Sequence, residues 1–164
     1  MQNENLHEEI TCFIKQCKSI LIASLNLNKE CICSYAPIIK VENEFFIYIS
    51  EIAQHYECFA NNADNIEIMF IEDEKDAFSI LARKRLKFRV KALEVSRNDA
   101  KFNYVLSYFE KENPQEEAIK IIKNMHDFHL FQLILKNGRY VKGFGKAYEI
   151  KGENISLINS HFHR

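Results

Sequence analysis

Apolar residues along the chain change their spacing several times, and each change marks an element. Leu6, Ile10, Phe13, Ile14 and Cys17 recur at helical spacing, so an amphipathic helix comes first. Residues 19–25 (SILIASL) then read as a strand, 26–30 as a turn and 31–40 as a second strand. Residues 42–44 turn the chain into a third strand, the aromatic and β-branched run 45–49, completing a meander. Ser50 has the character of an N-cap for a short helix over 52–59, and 66–71 (IEIMFI) is a fourth strand. A helical turn is predicted over 74–81. A long strand follows, with Leu86, Phe88 and Val90 on one face and Lys87, Arg89 and Lys91 on the other. Phe102, Val105, Leu106 and Phe109 mark a helix. Asn113-Pro114 reads as cap and first turn of the next helix, which carries Ala118, Ile119, Ile121 and Ile122. Asn137-Gly138, a strong short hairpin signal, predicts a hairpin of 128–135 with 139–150.

Six or so antiparallel strands with interspersed helices predict a mainly β fold, a small antiparallel barrel with flanking helices. Several strands are apolar on both faces in part, which predicts a second copy covering the outer wall, a homodimer. With 164 residues, no internal repeat and no long linker, residues 1–164 are expected to form one domain.

Composition narrows the partners. The net charge of −1 supplies no global attraction to nucleic acid or to a membrane surface. No apolar run approaches the length of a membrane span, and the polar, acidic opening is no signal peptide. A cytoplasmic protein is expected. The five cysteines (12, 17, 31, 33 and 58) match neither a disulfide framework nor a zinc pattern, so buried reduced thiols are expected.

The candidate chemistry is scattered. Two imidazoles, His161 and His163, sit on a short tail beyond the glycine-rich stretch Gly138-Arg-Tyr-Val-Lys-Gly143-Phe-Gly145; they are either metal donors or solvated chain end. Arg83 and Arg85, two apart at the start of the long strand, would point to one side, where guanidinium forks suit carboxylates or a phosphate. Asp127 is a carboxylate at the start of a late strand. His126 and His129 flank it, on opposite faces from one another. Ser19, Ser34 and Tyr35 are candidates for a pocket floor, and His55 for a ligand or partner contact. Glu72-Asp73-Glu74 reads as an acidic turn. No G-x-S-x-G elbow, P-loop or G-x-G-x-x-G is present, which leaves nucleophilic hydrolysis and those nucleotide folds without support.

An ordered set of segments carries a family likeness: Ser34-Tyr-Ala-Pro37, Tyr48-Ile-Ser-Glu-Ile-Ala-Gln-His55, Ile71-Glu-Asp-Glu74, Ala82-Arg-Lys-Arg-Leu86, Asp127-Phe-His-Leu-Phe131 and Gly138 to Tyr148. Together they resemble the HugZ/HutZ-type haem-utilisation proteins of the FMN-binding split-barrel superfamily, related to pyridoxamine phosphate oxidase. The resemblance runs from about Lys18 to the end. It implies a six-stranded antiparallel split β-barrel, homodimeric, binding haem b at the subunit interface and opening the porphyrin to a biliverdin-type product with release of iron. By position it puts the axial ligand on His163, in a haem-ligand tail of about residues 151–164. It puts the carboxylate that bonds that ligand on Asp127, and an arginine near the haem on Arg85, with Arg83 second. The tail is a couple of residues shorter than the family's spacing, so His161 remains the alternative ligand. A neutral imidazole would fill one axial position and leave the other open. With no flavin or nicotinamide motif, electrons would come from an external reductase or reductant. Two other readings stay open: an FMN-dependent oxidoreductase with Arg83 and Arg85 on the phosphate, and a haem carrier or store without turnover.

Overall fold

The structure is a computed structural model, and it describes residues 2–143 and 145–158. The order of elements is α1 (Gln2–Gln16), β1 (Ser19–Leu25), β2 (Cys31–Pro37), β3 (Ile39–Val41), β4 (Glu44–Ser50), α2 (Tyr56–Asn61), β5 (Ile66–Ile71), a 3-10 turn (Ile80–Ala82) and β6 (Arg85–Val95). Then come α3 (Ala100–Glu112), α4 (Glu117–Ile122), β7 (Phe128–Gly143), β8 (Lys146–Lys151) and β9 (Asn154–Leu157). The nine strands form one antiparallel sheet in the order β2-β1-β5-β6-β7-β4-β3, with β8 and β9 added beside β7. The two end strands of that order, β2 and β3, follow one another with only Ile38 between them. A sheet whose opposite edges are consecutive pieces of one chain must curl round on itself, so the sheet is a barrel. The strands exceed the expected six because 31–40 breaks at Ile38 and because the chain returns twice after β7.

Alternation builds the barrel interior. Ile20, Ile22, Ile47, Ile49, Ile68, Phe70, Leu86, Phe88, Val90, Phe131 and Leu133 point inward, and Leu6, Ile10 and Phe13 of α1 pack onto the same cluster. Tyr140, fully buried, donates its hydroxyl to Glu9 at 2.9 Å, and Lys142 pairs with the same carboxylate. The Lys40 ammonium caps the other end of α1, donating to the carbonyls of Ile14 (2.8 Å), Lys15 (3.1 Å) and Cys17 (2.5 Å). It thereby satisfies carbonyls that a helix end leaves without partners. A second cluster lies behind the sheet, where Phe46, Tyr48, Val95 and Leu130 meet Phe102, Val105 and Leu106 of α3. The doubly apolar strand β4 is therefore covered by α3 and α4 on its second face, not by another copy. On β1 and β2 the outward face stays open, with Leu21 and Tyr35 exposed.

The largest departure from the sequence reading is at Asn137-Gly138. The chain does not turn there: β7 runs straight through, pairing Gly138 with Phe88 of β6 and with Ile150 of β8. A Cβ at 138 would land on the Phe88 ring. Glycine is needed for close approach, not for a turn. A bulge between Phe88 and Val90 takes up the misfit. The reversal comes later, at Gly145 with φ +74°, and again at Gly152 with φ +59°.

Three helix boundaries also move. Asn113 ends α3, donating its amide to the Phe109 carbonyl at 2.9 Å, and α4 starts after Glu116, three residues later than Asn113-Pro114 suggested. Residues 51–55 are turns, so the predicted helix 52–59 becomes α2 with His55 in the cap position. The segment 74–81 holds turns before a single 3-10 turn. All five cysteines are free, and Cys12, Cys31 and Cys33 are exposed on this chain instead of buried. No helix of the described residues is long and apolar enough to cross a membrane.

Candidate functional site

At the start of β7 one carboxylate is held unusually firmly. Asp127 directly precedes the strand, and β4 ends beside it, with Ser50 in register with Phe128. The Ser50 hydroxyl donates to Asp127 Oδ2 at 2.7 Å, and the Glu51 N–H donates to the Asp127 carbonyl at 2.7 Å. Behind it, the Arg97 guanidinium donates to the carbonyls of Phe128 (2.7 Å) and Met125 and to the Tyr48 hydroxyl (3.2 Å). The guanidinium also lies over the Phe102 ring, 5.0 Å from its centre. Among the described residues Asp127 Oδ1 has no hydrogen-bond partner, and the side chain is half-buried.

His129, two residues on, sits between two carboxylates. Its Nδ1 lies 2.6 Å from Glu94 Oε1 and its Nε2 2.8 Å from Glu51 Oε1. Both nitrogens face carboxylate oxygens, an arrangement that favours the protonated ring, which can donate to both. Burial pulls its pKa down, but the two carboxylates outweigh that and hold it above the ordinary histidine value. Tyr56 packs against the ring at 4.9 Å. His126 is exposed and takes no part. Ser50 read as a helix N-cap, and Ser50 and Glu51 fell within a family-like segment, but nothing in the sequence pointed to Asp127 or His129 as their partners; Glu94 gave no signal, and only the pairing of β4 with β7 and of β6 with β7 assembles the three.

The remaining candidates lie elsewhere. Arg85 opens β6, exposed, in register with Val141 near the far end of β7. From Asp127 to Val141 the chain covers nearly all of β7, roughly 45 Å of path at about 3.3 Å per residue. β6 and β7 stay paired from Arg85–Val141 to Val95–Leu130, so Arg85 and Asp127 stand at opposite ends of β7 and are not brought together within one copy. Arg83 does not share the side of Arg85. It precedes the strand and turns inward, donating through Nε (3.1 Å) and Nη2 (2.5 Å) to the Glu72 carbonyl, with Glu74 3.8 Å away. A phosphate clamp made of both arginines, as the flavin reading required, is not assembled. The acidic turn is likewise used internally, since Glu72 accepts the Lys84 N–H at 3.0 Å and Asp73 that of Lys75 at 3.2 Å.

Ser34 and Tyr35 are neighbours on β2 and point to opposite faces, so they do not share a pocket floor. The Ser34 hydroxyl is turned inward without a partner among the described residues, and Tyr35 is 65% exposed. Ser19 lies instead on the rim of a cleft of about 820 Å³ between the end of α1 and the α3–α4 pair, lined by Tyr48, Tyr108, Phe109 and Ile119 among others. His55 is buried against the Phe59 ring, 6.0 Å between centres, its pKa lowered by that burial, and is out of reach of a surface ligand. His161 and His163 lie outside the described residues. The last described residue, Ile158, donates its N–H to the Ala147 carbonyl at 2.8 Å, and Ala147 pairs with Val141. The chain thus reaches its tail at the Arg85 end of the barrel. Among the described residues no group of His, Cys, Asp and Glu is arranged to hold a metal ion.

Fold and site together define a mainly β barrel of the split type that pyridoxamine phosphate oxidases share. A putative pyridoxamine 5'-phosphate oxidase from Listeria innocua superposes with a TM-score of 0.58 over 94% of this chain and 99% of its own, at 12% identity, a likeness of fold alone. No family model matches the chain. The haem oxygenase HutZ of Vibrio cholerae serotype O1 is 33% identical over 150 residues, 92% of this chain and 84% of that protein. This chain belongs to the HutZ family of haem-utilisation proteins. The crystal structure of V. cholerae HutZ, described there as a haem storage protein, matches with a TM-score of 0.72 over 79% of this chain and 89% of that one, at 31% identity. ChuZ of Campylobacter jejuni matches with a TM-score of 0.91 and 41% identity, over 98% of this chain and 67% of that chain.

Proposed function

We propose that this protein binds haem b between two copies of itself and opens the porphyrin to a biliverdin-type product, releasing iron, with electrons from an external donor. The observation that carries the reading is the Asp127 carboxylate, anchored through one oxygen by Ser50 and with its second oxygen without a partner among the described residues. That arrangement suits a group that accepts the outer N–H of a metal-bound imidazole. Such a partner fixes the imidazole's tautomer and tunes its basicity. The donor set fits haem in other respects: Arg85 offers an exposed guanidinium to a propionate, and His163, with His161 as second choice, offers the axial imidazole. When bound, haem supplies both the iron that activates oxygen and the ring that is opened; the protein holds and orients it.

Chain length supports a shared site. His163 lies five residues beyond Ile158, a reach of at most about 18 Å. Ile158 sits beside Ala147, in register with Val141 at the opposite end of β7 from Asp127. A tail histidine that bonds an aspartate at this position would therefore reach Asp127 of the partner subunit. Three large apolar residues just before Arg85 offer surface to such a partner: Phe78, Ile80 (72% exposed) and Leu81 (76% exposed).

The test is an absorption spectrum of the purified protein with added haem, followed by ascorbate under air. A Soret band that His163→Ala abolishes or shifts, and that decays to a ring-opened product, is the expected result. A Soret band of wild-type form in both His161→Ala and His163→Ala overturns the ligand assignment. A band that persists under ascorbate favours the second reading, a haem store, which the description of V. cholerae HutZ as a storage protein keeps in view.

A further inference from the structure

We infer that Ser50 is a positioning residue for Asp127, selecting the carboxylate oxygen that meets the imidazole; this rests on the role of Asp127 proposed above. Ser50 is 8% exposed at the end of β4. Its single hydroxyl proton has one destination. The Ile52 N–H donates to Ser50 Oγ at 3.3 Å, so a lone pair of that oxygen is engaged from behind and the O–H points at Asp127 Oδ2, 2.7 Å away. The backbone around Asp127 is already fixed by the Glu51 N–H on its carbonyl and by Arg97 on the carbonyls of Met125 and Phe128. What remains free is the rotation of the carboxylate itself, and the Ser50 bond removes it. Oδ1 is thereby the oxygen left without a partner among the described residues. The clamp on His129 steadies the same turn, because Glu51, which pins the Asp127 backbone, is also one of the two carboxylates on that ring.

The orientation requirement sets the direction of the effect. Without the hydroxyl the carboxylate swings, the time it spends aligned with the imidazole N–H falls, and the imidazole loses part of its outer bond. Ser50→Ala should therefore move the iron–imidazole stretching band of the ferrous haem complex the same way as Asp127→Asn, by a smaller amount. Ring opening should slow about fivefold, the worth of one ordinary hydrogen bond. Ser50→Thr keeps the donor and should restore the wild-type band. In Ser50→Ala combined with Asp127→Asn the band should match Asp127→Asn alone, since a residue acting through another adds nothing once that one is gone.

The outcomes separate cleanly. If Asp127→Asn shifts the band and Ser50→Ala leaves it at the wild-type position, or shifts it the opposite way, the positioning role is overturned and the reading of Asp127 stands. Additive shifts in the double variant overturn it too. If Asp127→Asn itself leaves the band unchanged, the reading of Asp127 falls and takes this inference with it. Should Ser50→Ala fold poorly, Ser50→Cys, near in size and a weak donor, carries the same comparison.

Discussion

The two ends of β7 are built differently. At its start, Asp127 and His129 are fixed by four other elements of hydrogen bonding: Ser50 and Glu51 from β4 and the turn after it, Glu94 from β6, and Arg97 just beyond β6. At its far end the strand carries a second register shift between Val141 and Gly143, glycines with positive φ follow, and Arg85 stands exposed beside it. One end gathers a carboxylate and a histidine in cross-strand hydrogen bonds; the other presents an exposed arginine beside the paired Tyr140, Lys142 and Glu9. Within one copy the two stand at opposite ends of β7. A site that uses both would draw them from different subunits.

The sharpest way to break this comparison is a mixed dimer. Asp127→Asn and His163→Ala should each be nearly inactive alone. Co-expressed and purified as the heterodimer, they should regain about half of wild-type ring opening, because one of the two shared sites then holds both intact groups. A heterodimer as inactive as its parents would return tail and aspartate to the same subunit. The next largest effect is Asp127→Asn itself, expected to lower ring opening by about 10–100-fold, as loss of a partner to a metal-bound histidine does. Rates with a chemical reductant check it.

Gly138→Ala tests the straight course of β7 between the two ends. The new methyl meets the Phe88 ring and the Lys87 carbonyl, so urea unfolding should show a loss of about 1–3 kcal/mol, which trimming Phe88 to Leu would relieve only in part. A hairpin turn at Asn137-Gly138 would lose its positive-φ residue instead, and trimming Phe88 to Leu would then give no relief. A smaller contrast lies between neighbouring arginines. Arg85→Ala should weaken haem retention and leave the melting temperature unchanged, whereas Arg83→Ala should lower the melting temperature and spare haem binding, since its guanidinium serves the Glu72 carbonyl. The smallest effect concerns pH. The pKa of His129 is raised in the folded protein. The stability its clamp contributes is therefore fully present below the ordinary histidine value and is lost as pH rises through the raised one. His129→Gln should flatten the melting temperature over that window; an unchanged pH profile would deny the clamp that role.

How much of this was legible beforehand differs by element. Residues 19–25, 66–71 and 128–135 were readable as strands, because period-two burial is written directly into a half-buried strand. The barrel class and the family followed from strand content and from segments such as Ala82 to Leu86 and Asp127 to Phe131, and the comparisons bear both out. Asn137-Gly138 misled because the local turn preference of Asn-Gly is weaker than the demand of a neighbour: Phe88 needs a residue without a side chain opposite it. Asn113-Pro114 misled in the same way, its asparagine closing the helix before it and not opening the one after.

By itself the sequence determined what each segment could bury, since apolar spacing needs no knowledge of what lies opposite. Only the folded chain decided which polar groups meet. The Ser50 bond to Asp127, the carboxylate clamp on His129, the inward turn of Arg83 and the separation of Arg85 from Asp127 all depend on strand order and register. A hydrogen bond acts over about 3 Å, while its partners here stand from 11 to 78 residues apart in the chain, and nothing in either local stretch records the other.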